Sequence, residues 1–215
     1  MTNGLKVWTL TDKSKPTALT DFHYTDPATG LTSVLGSTNT SVDIAADKNK
    51  NYLYVAHWGG TTSDANNLEI FDLNNPNGIT LLGMLPLASS TTIRNIHVVG
   101  TLLYLQPYSS GKTQIIDVSN PQSPRLMSHR ILGDTTNTLA VAGGRMFASV
   151  FDSNSSRWEL QVYAVENPEL PRLIQTFPTD NAFIKLQARS ADTGFTLFGA
   201  TATGIVKFTL TPQRN

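Results

Sequence analysis

Leu68-Glu-Ile-Phe-Asp-Leu-Asn-Asn-Pro76 governs how the rest of the chain is read, because it returns. Thr113-Gln-Ile-Ile-Asp-Val-Ser-Asn-Pro121, Leu160-Gln-Val-Tyr-Ala-Val-Glu-Asn-Pro168 and Gly204-Ile-Val-Lys-Phe-Thr-Leu-Thr-Pro212 can be written beneath it. Their prolines, at 76, 121, 168 and 212, stand 45, 47 and 44 residues apart. A fifth copy, Leu5-Lys-Val-Trp-Thr-Leu-Thr, opens the chain, with a longer turn before Pro16. Copies at near-constant spacing identify a repeat architecture.

Each copy is followed by a second β-type run: Ala18 to Tyr24, Thr80 to Leu87, Arg125 to Leu132 and Arg172 to Phe177. Proline fixes φ, holds the preceding residue extended and cannot continue a ladder, so Asn-Pro between two such runs marks a hairpin. Two shorter runs precede each copy, as in Ser41 to Ala45 with Tyr52 to Ala56, Arg94 to Val99 with Leu102 to Gln106, and Leu139 to Val141 with Met146 to Phe151. Asp47 to Asn51, Gly100-Thr101 and Gly143-Gly144 supply the turns between them. One repeat therefore reads as four strands, a to d. The middle strands are apolar on both faces, clearest in Leu160 to Val165, which calls for sheets covered on both sides. Helical periodicity is absent. The expected fold is all-β, a β-propeller of four-stranded antiparallel blades.

An apolar run ending in Ile-Phe-Asp-Leu-Asn-Asn-Pro or Ile-Ile-Asp-Val-Ser-Asn-Pro, then a proline-flanked turn and another apolar strand, resembles the LVIVD-repeat family of propellers. The resemblance spans nearly the whole chain. The family's aspartate stands as Asp72 and Asp117 and is replaced by Thr9, Ala164 and Thr209 in the other copies. The resemblance implies a propeller of secreted or cell-surface bacterial and archaeal proteins, and no defined activity.

The repeat divides a single domain into units of approximately 1–39 (partial), 40–88, 89–133, 134–179 and 180–215 (partial). Two arrangements fit: a small ring of four or five blades with an irregular seam, or part of a larger propeller. The second is favoured because the chain starts and stops inside motifs. An incomplete ring would expose strand edges and invite self-association.

Composition narrows the partners. Sixteen basic and sixteen acidic residues balance without blocks of either sign, which disfavours nucleic acid. The absence of cysteine removes disulfides, thiolate metal sites and a cysteine nucleophile, and leaves the compartment open. No run has signal-peptide character or approaches a membrane span, so membrane insertion is not expected.

In this topology the b-to-c and d-to-a connections share one end of the sheets, where ligands generally bind. Those loops are rich in Ser, Thr, Asn, Gly and Asp, with Trp58, Tyr108 and Trp158 near their ends. Aromatic groups beside neutral hydrogen-bonding groups suit a protein or carbohydrate ligand. The candidate contact residues are His57, Trp58, Asp64, Tyr108, Asp134, Asp152 and Asn154, with His57-Trp58-Gly59-Gly60 opening the longest within-blade loop.

Aligning the innermost strands through Val42/Ile44, Ile96/Val98, Leu139/Val141 and Ile184/Leu186 places Asp43, His97, Ala140 and Lys185 at one level. His97 as base, Asp43 as its orienter and Lys185 as electrostatic stabiliser would make a small catalytic set in the axial channel. A water-lined channel with balanced charge is the simpler account. These unlike residues do not form a metal site, and no cofactor is implied. Asp72 and Asp117 are expected to accept backbone N–H bonds in their own c-to-d turns.

The leading expectation is a noncatalytic interaction module using the b–c/d–a loop face. The alternatives are a hydrolase or lyase built around His97, and a structural part of a larger extracellular protein.

Overall fold

The computed structural model describes residues 6–9, 14–21, 23–25, 32–34, 41–47, 50–58, 66–74, 79–87, 93–107, 112–131, 135–192 and 194–211. Every regular element among them is a strand. Two short hairpins come first: β1 (Lys6–Thr9) with β2 (Thr17–Asp21), and β3 (His23–Thr25) with β4 (Thr32–Val34). The run expected from Ala18 to Tyr24 is thus divided between two pairs of strands.

Three antiparallel four-stranded sheets follow, each in simple chain order. The first holds β5 (Ser41–Asp47), β6 (Tyr52–Trp58), β7 (Asn66–Asp72) and β8 (Thr80–Pro86). The second holds β9 (Ile93–Val99), β10 (Leu102–Pro107), β11 (Lys112–Asp117) and β12 (Arg125–Ile131). The third holds β13 (Thr135–Ala142), β14 (Arg145–Asp152), β15 (Arg157–Ala164) and β16 (Arg172–Thr179). A last sheet has three strands, β17 (Lys185–Ala191), β18 (Gly194–Ala200) and β19 (Ile205–Leu210). These are propeller blades, and the fold is an all-β propeller.

The sequence repeat is a repeat of local physics. In all three complete sheets the third strand carries a register shift against the fourth, at Ile70/Phe71, Ile115/Ile116 and Val162/Tyr163. The β1–β2 pair has its own at Val7/Trp8. Such a bulge adds twist and turns the chain toward its reversal. The residue after each third strand then donates its N–H to the turn joining the first two: Leu73 to Asn51 O at 2.7 Å, Val118 to Thr101 O at 2.8 Å and Val165 to Gly144 O at 3.0 Å. Asp72 and Asp117 accept from Asn74 and Ser119 N–H at 2.8 and 2.9 Å. The Asn of Asn-Pro acts likewise, Asn120 Oδ1 accepting from Gln122 N–H and Asn167 Oδ1 from Glu169 N–H, both at 3.1 Å. Aspartate and asparagine here close turns, which is their ordinary local chemistry. Gly143 and Gly144, with φ of +51° and +70°, form the two-residue link between β13 and β14, a conformation matched to hairpin twist.

By its internal contacts the chain divides into two compact units, Met1–Ile93 with Asn120–Pro124, and Arg94–Ser119 with Arg125–Asn215. Leu53, Val55 and Phe71 form a small core in the first. Two larger cores lie in the second. Tyr104 and Ile115 pack with Leu139, Met146, Ala148 and Val150, and Ala140, Phe147, Leu160 and Val162 pack with Phe183, Leu186 and Leu197. The third sheet is therefore buried on both faces, as its apolar strands require.

The last sheet departs from that expectation. Leu186 and Leu197 face the core, whereas Lys185, Gln187, Phe198, Ile205 and Lys207 are exposed. Register places these exposed residues together, through Lys185↔Ala200, Gln187↔Phe198, Phe198↔Lys207 and Ala200↔Ile205. This sheet sends Leu186 and Leu197 into the core from one face and leaves the other exposed, with Phe198 and Ile205 beside Lys185, Gln187 and Lys207.

Candidate functional site

A cleft of about 270 Å³ opens between the third and fourth sheets, within the second unit. Pro178, Thr179, Asp180 and Asn181 form one wall, in the link from the last strand of one sheet to the first of the next. Thr201 and Thr203, between β18 and β19, form the other. Phe183, Val206 and Phe208 supply the apolar lining. One d-to-a link and one b-to-c link thus meet at the cleft.

Its rims are locally tied. Thr179 Oγ1 donates to the Asn181 carbonyl at 3.2 Å. Thr201 Oγ1 donates to the Gly204 carbonyl at 3.2 Å and accepts from Thr203 N–H at 3.3 Å. A backbone bond from Thr201 N–H to Gly204 O, 2.8 Å, closes the same turn.

Its floor is fixed from three sheets. Phe183 donates its N–H to Ser149 Oγ at 3.1 Å, and its carbonyl accepts from Asn137 Nδ2 at 2.7 Å. Arg94 in turn donates to the Asn137 carbonyl at 2.9 Å and to its side-chain oxygen. The Phe183 ring meets Phe208 edge to face, centroids 5.5 Å apart and planes at 90°, a geometry worth about 0.5–1.5 kcal/mol beyond area burial. Gly199 makes room for it.

A second polar group lies at the inner strands of the same unit. Lys185 Nζ donates to Asn95 Oδ1 at 3.0 Å, Asn95 Nδ2 to Gln106 Oε1 at 3.2 Å, and Gln106 Nε2 to the Thr136 carbonyl at 2.8 Å. His97 sits beside it, hydrogen-bonded to the Leu139 backbone, with a buried and unpartnered Nε2. Burial first, and the Lys185 charge second, bring its pKa down to about 4. The imidazole is neutral at pH 7. A base of that pKa is far from the near-neutral optimum for proton transfer.

The residues singled out from sequence are distributed as follows. His97 and Lys185 come together, while Ala140, at the same level, is buried in the core between the third and fourth sheets. The reason is geometric: side chains stand perpendicular to the sheet, so this register looks toward neighbouring sheets, and only a strand edge looks inward. Asp43 pairs with Ala56 in the first sheet, and its side chain lies outside the described residues. His57 and Trp58 belong to β6, opposite Asn67 and Asn66, so they extend a strand instead of opening a loop. Asp64, Tyr108 and Asp134 lie outside the described residues.

Asp152 is spent on its own turn. It accepts from Asn154 N–H at 3.1 Å, Ser155 N–H at 3.2 Å and Ser155 Oγ at 2.6 Å, with Ser156 at φ +53°. The Ser155 hydroxyl, then the Asn154 N–H, hold its carboxyl below the usual range. Asn154 is an exposed member of that turn. Trp158 pairs with Thr179 at the cleft wall and meets Phe151 edge to face at 5.3 Å. Phe183, Val206 and Phe208 are not among the residues singled out from sequence, because their lining role arises only when two sheets meet.

No protein-family model and no curated protein matches the chain. Solved structures do. Sqt1 of Saccharomyces cerevisiae is similar at a TM-score of 0.60 and 13% identity, over 80% of this chain and 45% of that one. A functionally unknown protein of Desulfotomaculum acetoxidans gives 0.60 and 10% identity, covering 93% and 60%. A candidate 6-phosphogluconolactonase of Bacteroides uniformis gives 0.62 and 9% identity, covering 95% and 63%. The chain spans about half to two thirds of the length of these structures. At such identities the likeness concerns the fold.

Proposed function

We propose that this chain is a noncatalytic propeller module that binds protein, taking an apolar anchor side chain of its partner into the cleft lined by Phe183, Val206 and Phe208. The observation that carries the reading is the cleft's construction from a d-to-a and a b-to-c link over an apolar floor. At about 270 Å³ it is smaller than the roughly 300–1,000 Å³ typical of small-molecule sites. That size suits one side chain. The apolar lining of Phe183, Val206 and Phe208 favours a protein side chain over carbohydrate. The depressed pKa of His97 weighs against the hydrolase or lyase reading.

The test is a peptide array and a glycan array read with the unaltered protein and with Thr203→Trp, which fills the cleft. Peptides sharing an apolar residue should bind, and the variant should lose at least tenfold in affinity. Peptide binding that ignores Thr203→Trp, or signal from glycans alone, would refute the assignment.

A further inference from the structure

The hydrogen-bonding capacity of the cleft is one-sided. A hydroxyl has one proton to donate and two lone pairs. Thr179 Oγ1 spends its proton on the Asn181 carbonyl and Thr201 Oγ1 on the Gly204 carbonyl. Thr203 Oγ1, 3.3 Å from Thr201 Oγ1, is then the donor of that contact. All three protons point into the walls, and what Thr179 and Thr203 still offer is acceptor capacity. Of the lining side chains only Asn181 keeps polar hydrogens to give. Asp180, exposed on the wall between Thr179 and Asn181, adds a carboxylate.

Charge at this end of the third sheet leans the same way. Arg157 stands opposite Asp152 in the register of β14 with β15. Trp158↔Thr179 is the first pair of β15 with β16, so the chain runs on to Asp180 along the other side of Arg157. One cation thus lies between two acids. The Ser155 hydroxyl and the Asn154 N–H hold the Asp152 carboxyl below its usual range, so it stays ionised at pH 7. Lys185, the cation nearest to Asp180 in sequence, is turned to the inner strands, where its Nζ donates to Asn95 Oδ1 at 3.0 Å. Among the described residues, the apolar floor of Phe183, Val206 and Phe208 therefore opens beside a rim that is net negative.

We infer that the partner segment carries a lysine or arginine within two residues of the apolar side chain that enters the cleft, with its cation set against Asp180. This rests on the protein-binding reading of the cleft and specifies the partner's chemistry. Lysine and arginine lay an apolar stem along a surface and keep a charged donor group at its end, so either one extends the apolar contact across the rim and meets acceptors there. An acidic residue in the same place meets like charge and few donors. Complementary charge at the rim of an interface acts mainly on partner choice and on-rate, and salt weakens it. Asp180 is thus the residue that selects among segments with the same apolar anchor.

The experiment uses the full chain and an array of nine-residue peptides with leucine or phenylalanine at the centre and arginine, lysine, glutamine or glutamate placed at each position beside it. The unaltered protein is compared with Asp180→Asn, Asp180→Lys and Thr203→Trp, each checked for an unchanged melting temperature, and the affinities of the hits are read by fluorescence anisotropy. At about 0.01 M salt, where the screening length is about 30 Å, basic-flanked peptides should bind roughly two- to fivefold more tightly than glutamine-flanked ones. The margin should close at about 1 M salt. Asp180→Asn should erase the preference and Asp180→Lys should turn it toward glutamate. Equal binding whatever the flanking residue, or a preference that Asp180→Lys leaves in place, would overturn the inference; if that binding still falls with Thr203→Trp, the cleft reading stands. A basic preference that follows Asp180 but ignores Thr203→Trp would instead refute the cleft reading. Binding by none of the peptides would refute both.

Discussion

The Phe183 ring occupies the space that a side chain at Gly199 would need: a Cβ built there would lie 2.4 Å from Phe183 Cδ1. Glycine is therefore required for close approach, and the cleft floor depends on it. Gly199→Ala should displace the ring and cost about 1–3 kcal/mol, the usual penalty for overpacking. Urea denaturation measures the loss. An unchanged midpoint would mean that the ring is not held where it is described.

Ser149 is fully buried, and its hydroxyl is the acceptor for Phe183 N–H. Ser149→Ala leaves that N–H without its side-chain acceptor, at a cost of about 1–3 kcal/mol. Ser149→Thr keeps the hydroxyl. Equilibrium unfolding should rank the unaltered protein first and the alanine variant below it. Equal stability of the alanine variant would remove Ser149 from the clamp on the cleft.

His97 ties stability to pH. Its pKa is about 4 in the fold against 6.5 unperturbed, so between these values the unfolded chain takes up the proton first. Stability from this group is complete above pH 6.5, falls as pH drops toward 4 and levels off below. The total is at most on the order of 3 kcal/mol. His97→Gln should flatten that part of the curve. Lys185→Gln should raise the imidazole pKa while leaving it below 6.5, because burial is the larger cause. Proton NMR titration of His97 reads both directly.

Much of the fold was legible in sequence because its signals are local. Asn167-Pro168 and Asn120-Pro121 mark reversals through their own backbone chemistry, and Gly143-Gly144 requires positive φ. The candidate site was less legible. Phe183 lines the cleft only because Ser149, Asn137 and Gly199, from three strands distant in sequence, hold it there. The exposure of Ile205 was not legible either, because an apolar strand carries no mark of whether a neighbouring sheet covers it. His57 and Trp58 read as loop residues beside Gly59-Gly60, but pairing with Asn67 and Asn66 carries β6 to Trp58.

Asp117 links turn chemistry to acid sensitivity. Backbone and side-chain hydrogen bonds from Ser119 hold its carboxyl below the ordinary range, with Arg125 assisting. Its contribution is therefore present above the unfolded carboxyl pKa and is lost as pH falls through the lower folded value. Asp117→Ala should cost roughly 0.5–1.5 kcal/mol in thermal or urea unfolding. Peptide binding should persist, since c-to-d turns lie at the end of each sheet away from the b-to-c links. Lost binding with unchanged melting would contradict the structural role.

The most direct measurement for the central claim is amide chemical-shift mapping of the full chain with an array-selected peptide. The account predicts perturbations concentrated at 178–183 and 201–208, with the turns at 119–123 and 166–170 unchanged. Perturbations centred on those turns, with 178–183 and 201–208 silent, would contradict it.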